Sequence, residues 1–110
     1  MDNDEKKDIY DAFSDLANMS VSELEKWLDT DESKSVGQKK DSDESVGHKS
    51  GERIVEIKGK KKGDLTDDDY KHMQKVVSYI KRHSAQRPKE VKGSDWEYSL
   101  KNWGNDPEKK

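Results

Sequence analysis

Two runs of cations are the residues of this sequence with the clearest chemical meaning. Arg53, Lys58, Lys60, Lys61 and Lys62 fall within ten residues, and Lys81, Arg82, Arg87, Lys89 and Lys92 within twelve, each run offset by a single Glu. Lys and Arg at this density suit nucleic-acid phosphates, where they displace condensed counterions as point charges and need no particular base sequence. Arg53, Lys58, Lys60, Lys61, Lys62, Lys81, Arg82 and Arg87 are therefore the candidate phosphate contacts, facing one another across a helical hairpin. The plain alternative is a solvated surface in a chain where 43% of residues are charged.

Other chemistry finds little support. Asp68 and Asp69 stand four and three residues before His72, a spacing that puts possible metal ligands on one helix face. First-turn acids complementing the helix dipole, with His72 facing water, explain the same pattern better. His48 and His83 are read as solvated or dipole-complementing, and no metal or cofactor is expected. Gly59-Lys60-Lys61-Lys62-Gly63-Asp64 has neither the spacing nor the flanking strand of a P-loop. There is no Gly-x-Ser-x-Gly elbow, and without cysteine there is no disulfide, thiolate zinc site or thiol nucleophile. No acid, base and nucleophile come together, so an enzyme is not expected.

The elements that must position these residues are helical. Ile9, Phe13 and Leu16 line one face of a helix from about Asp4 to Ala17. Ser20-Val21-Ser22-Glu23 is a capping box that opens a second helix bearing Leu24, Trp27 and Leu28, with Met19 before it as a staple for Leu24. From Ser50, as N-cap, to about Lys58 a helix is favoured over a short strand, carrying Ile54, Val55 and Ile57. Thr66 caps the longest helix, Leu65 and Tyr70 staple it, and Tyr70, Met73, Val76, Val77 and Ile80 form its buried stripe before Pro88. Trp96, Leu100 and Trp103 mark a terminal helix ended by Gly104 and Pro107. Its two Trp read as an exposed stripe suited to self-association or a protein partner.

With 110 residues, 27% hydrophobic and a mean hydropathy of −1.40, the chain affords only one small domain with a thin core. No apolar run exceeds two residues, which leaves no membrane span. The acidic start, Met1-Asp2-Asn3-Asp4-Glu5, is unlike a signal peptide, and a cytoplasmic location is expected. The net charge of −3 hides an asymmetry: residues 1–50 hold seven Lys against 14 acids, and residues 51–110 hold 15 cations against 11. Residues 29–50 lack periodicity and read as a charged, mobile loop, inside which Ser35-Val36-Gly37-Gln38-Lys39 is echoed by Ser45-Val46-Gly47-His48-Lys49. Such Gly-x-Lys repeats are surface turns, or turns that present amides and a Lys to an anion. The expected organisation is one all-α domain of four to five short helices: a pair at 4–28, the loop at 29–50, a helical part with the basic clusters at 51–104 and a tail at 105–110.

Several separated blocks, in order, carry a family resemblance. They are Met19-Ser20 through Glu23-Leu24-Glu25, Trp27-Leu28 and Glu32-Ser33; Ser35-Val36-Gly37; Ser50-Gly51 with Arg53-Ile54-Val55-Glu56-Ile57; Asp64-Leu65-Thr66-Asp67-Asp68-Asp69-Tyr70; and Trp96-x-Tyr98-Ser99-Leu100-x-Asn102-Trp103-Gly104-x-Asp106-Pro107. From about Asp8 to Pro107 the chain resembles the domain of unknown function 3140 family of bacterial and fungal proteins, with Asn105 where that pattern commonly has His. The resemblance implies DNA binding, since members are often labelled so, and implies that residues 32–50 belong to the domain. It supplies no catalytic residues. The function expected is a small non-enzymatic protein contacting DNA or RNA phosphates. The rivals are a protein-interaction or homo-oligomeric module acting through Trp96 and Trp103, and a hydrophilic stress protectant.

Overall fold

Each apolar stripe finds a partner helix, and the caps fix where the helices begin. The computed structural model describes residues 2–35 and 46–108. Its α1 (Asn3–Leu16) starts at Asp2, whose carboxylate accepts from the Glu5 amide, and α2 (Val21–Leu28) starts at the full Ser20/Glu23 capping box. The longest helix, α5 (Asp67–Ser84), opens with a second capping box, Thr66/Asp69, and α6 (Asp95–Asn102) is capped by Ser94. No strand occurs among the described residues, so the segment around Ile54 to Ile57 is helical.

Two differences from expectation lie in the span read as a loop. Asp31–Ser35 forms a short α3, and α4 (Val46–Lys58) begins well before Ser50. Apolar periodicity cannot reveal α3, because it has no apolar residue; the Thr30 hydroxyl caps it by accepting from the Ser33 amide at 3.1 Å. Ser50 is not an N-cap but an interior residue of α4, its hydroxyl 3.0 Å from His72 Nε2. From Val46 onward the second Ser-Val-Gly copy is helix rather than turn, while the first copy beyond Ser35 and the expectation of mobility for residues 36–45 lie outside the described residues.

α1 lies along α5 and α2 along α4, while α6 crosses between the pairs and touches α2, α3, α4 and α5. The expected core positions are buried or packed at its margin, joined by Ala17 and Met19. α4 meets α6 at Gly47 and Gly51, one turn apart, and a Cβ on Gly51 would sit 2.6 Å from both the Asn102 carbonyl oxygen and Leu28 Cδ2. Gly51→Ala is therefore expected to destabilise the fold by about 1–3 kcal/mol although alanine is the better helix former. Urea denaturation checks this, and a gain in stability would show that the helices can separate freely. The chain leaves α6 through Gly104, at φ +85°, and its carbonyl accepts from the Met19 amide at 3.1 Å. Asn105 Nδ2 then donates to the Leu16 carbonyl at 2.6 Å, and Asn18 and Asp106 exchange two hydrogen bonds, so residues 105 and 106 are an anchor rather than a loose tail.

Candidate nucleic-acid interface

Three of the five cations in the first run point inward. Arg53 Nη2 and Lys60 Nζ each reach the fully buried carboxylate of Asp69 at 2.8 Å. Lys58 Nζ donates to the Ala17 carbonyl at 2.6 Å and lies 5.8 Å from the Phe13 ring centre. Lys61 and Lys62 are exposed, Lys62 standing over the Tyr10 ring at 4.6 Å. In the second run Lys81 and Arg82 are exposed in the last turn of α5, and Arg87 lies beside Trp96, its guanidinium 5.5 Å from the ring centre. The two runs do not face one another. Lys60 is held at the first turn of α5, and Lys81 lies twelve residues beyond Asp69, about 18 Å along the helix.

The structure forms a different basic surface. Lys71, Lys75, Ser78 and Arg82 recur at four, seven and eleven residues along the open side of α5, with Gln74 and Lys81 beside them, all exposed. Among the described residues none of these cations has an ion-pair partner. No acid occurs between Asp69 and Glu90. Lys71 and Lys75 were not singled out in the sequence, yet the periodicity that turns Tyr70, Met73, Val76 and Ile80 inward turns these residues outward. Among the described acids of the first half, Asp4, Asp8, Asp11 and Asp15 are exposed along α1, and the ion pair between α1 and α5 joins Lys6 to Asp67 at 3.4 Å rather than reaching the basic row.

Behind the basic face runs a ladder of rings. His72, Trp103, Tyr79, His83 and Trp96 follow one another in that order, His72, Tyr79 and His83 coming from α5. His72 and Trp103 are 6.4 Å apart, Trp103 and Tyr79 4.2 Å, Tyr79 and His83 5.1 Å, and His83 and Trp96 5.8 Å, every pair within 17° of parallel. This corrects two expectations. Trp103 is buried and Trp96 half-buried, with its indole N–H donating to the His83 carbonyl at 2.8 Å, so they present no exposed stripe. His72 and His83 do not face water; the apolar rings that α6 lays against α5 cover them. His48 likewise lies 3.2 Å from the buried Ser33 hydroxyl.

Burial is the main cause lowering the pKa of both ladder histidines. Arg53 and Lys75 lower His72 further, against smaller opposing effects of Ser50 and Asp69. An unfolded chain then binds protons that the folded one refuses. Stability should be full above the ordinary histidine value of about 6.5 and fall as pH drops below it through the folded values. Melting at pH 7.5 and 5.5 checks this, and replacing both histidines by Gln should flatten the difference.

Asp69 is committed to cations and His72 to Ser50, and no cluster of three potential metal ligands occurs among the described residues. Nor is any described helix long and apolar enough to cross a membrane. No curated protein and no solved structure matches the chain. A family profile does, over residues 12–101, a span that contains Gly51 and Asp69. The chain thus belongs to the family described as "Protein of unknown function (DUF3140)".

Proposed function

We propose that this protein is a non-enzymatic binder of nucleic-acid phosphates and that the open face of α5, rather than the Lys60 region, makes the contact. The observation that carries the reading is the row of Lys71, Lys75, Lys81 and Arg82, exposed, on one face and without ion pairs among the described residues. From Lys71 to Arg82 the row spans about 17 Å, the rise of roughly five base pairs. Arg87, exposed beyond the helix end beside Trp96, adds a fifth cation. Gln74 and Ser78 stand between the cations with donors and acceptors of their own, but charge dominates, so binding depends weakly on sequence.

Fluorescence anisotropy of a labelled random duplex tests the reading. With about five phosphates neutralised, log K should fall against log salt with a slope of roughly −4.5, a loss of a few hundred-fold between about 50 and 200 mM. The variant Lys71→Glu, Lys75→Glu, Arg82→Glu should lose binding at 50 mM salt, whereas Lys61→Glu with Lys62→Glu should lose less than about tenfold. No binding by the natural chain at 50 mM salt, a shallow slope, or an α5 variant that binds normally would each overturn the proposal.

A further inference from the structure

On the side of α5 that faces α1, away from the basic row, a cleft opens where α1, the start of α2 and the end of α4 converge. Its floor is Phe13, Ile57 and Met73, all buried, and Tyr10, Val21 and Leu65 form half-buried walls. Lys58 and Lys60 line it, and among the described residues no acid does, in a chain where acids outnumber cations. Lys60 shares its charge with Asp69, but Asp69 also holds Arg53, so this group of three keeps one net positive charge beside the cleft. The cavity volume is about 290 Å³. This is room for a short alkyl chain, with one side open to solvent.

An apolar floor with cations and no anions at its walls selects a ligand that is apolar at one end and negative at the other. We infer that this cleft binds a small amphiphilic monocarboxylate, a straight chain of about eight carbons, with its tail on Phe13, Ile57 and Met73 and its carboxylate toward Lys60, where the Arg53, Asp69 and Lys60 group keeps its net positive charge. The site stands apart from the basic face of α5, and its fate is independent of the nucleic-acid reading.

Octanoate is the probe, with octylammonium as a control of equal length and opposite charge. Titrated into the full chain and followed by the methyl resonances of Ile57 and Met73, octanoate should saturate with a Kd of roughly 0.1–1 mM. Octylammonium should bind at least about tenfold more weakly, because the same tail then carries a charge the cleft repels. Filling the cleft from its half-exposed wall, with Val21→Trp or, if that chain does not fold, Ser14→Phe, should weaken octanoate by about tenfold or more while the melting temperature holds. No saturable shift below about 10 mM octanoate, equal binding of the two probes, or an unchanged affinity in a folded filled-cleft variant would each overturn the inference.

Discussion

Asp69→Ala is expected to lower unfolding stability by about 3 kcal/mol. The carboxylate is fully buried and takes three hydrogen bonds, from Arg53 Nη2 and Lys60 Nζ at 2.8 Å and from the Thr66 amide at 3.0 Å. Burial alone would push its pKa up, yet Lys60, Thr66 and Arg53 together hold it well below the usual carboxylate range. Removing it takes away the reciprocal half of the α5 capping box and leaves two cations facing each other. Arg53 has a buried Nε without a partner among the described residues, so it loses its only recorded ion pair. Breaking a fully buried pair costs about 3–5 kcal/mol, and a lost cap about 1. Because the Arg53 and Lys60 side chains are 36% and 31% exposed, water relieves part of the first figure. Asp69→Asn keeps an acceptor for Thr66 and should cost less. Since the folded pKa is depressed, this contribution is complete above the ordinary carboxylate range and lost as pH falls below about 4, so the Asn variant should show a flatter acid limb. Urea denaturation at pH 7 and 3.5 measures both effects. A loss below about 1 kcal/mol at pH 7 would mean that the pairing merely offsets desolvation.

Asn102→Ala should cost a similar amount, about 3 kcal/mol, for a different reason. Asn102 is almost fully buried at the end of α6, and its Oδ1 accepts from the Trp27 indole N–H at 2.8 Å and from the Ser33 hydroxyl. Its Nδ2 donates to the Ser33 carbonyl at 2.9 Å. The amide orientation is fixed by this network, because an indole can only donate and a carbonyl only accept. Truncation leaves the Ser33 carbonyl and the Trp27 N–H without these partners, while the Ser33 hydroxyl retains His48. It also removes the side-chain tie between α3 and α6. The expected readouts are the stability loss, an upfield shift of the Trp27 indole proton and faster proteolysis within residues 31–35. Asn102→Asp should be no rescue, since a carboxylate cannot donate to the Ser33 carbonyl. A variant with wild-type stability would show that water replaces the amide.

These two residues also mark the boundary of what the sequence discloses. Apolar spacing and caps are local, so α1, α2, α5 and α6 and the identity of their buried faces follow from patterns within one or two turns. Asn102 and Ser33 meet across 69 residues and Arg53 and Asp69 across 16, and no local pattern distinguishes a buried polar residue from an exposed one. The same blindness placed His72 and His83 in water and counted Arg53, Lys58 and Lys60 as surface cations. Lys71 and Lys75 had a local signal, but counting charge within windows of sequence rather than around the helix passed over it. Gly47 falls in the span read as a loop and Gly51 just after the expected cap at Ser50, and no local pattern shows that at both the missing side chain is what lets α6 approach.

The clamp between Leu16–Asn18 and Asn105–Asp106 bears on how the chain is made. α1 and α5 can pair as soon as α5 has emerged from the ribosome, but the bonds from Asn105 to Leu16 and from Asp106 to Asn18 bridge 89 and 88 residues. Closing so long a loop is slow, and its entropy is recovered only when α6 lands on α2 and α4. Until residues 102–106 are free to move, Leu24, Leu28 and Ile54 lack their cover and the Trp27 indole lacks Asn102. Before α6 docks, the chain is two helix pairs, α1 with α5 and α2 with α4, and the arrival of residues 95–106 joins them in a late step.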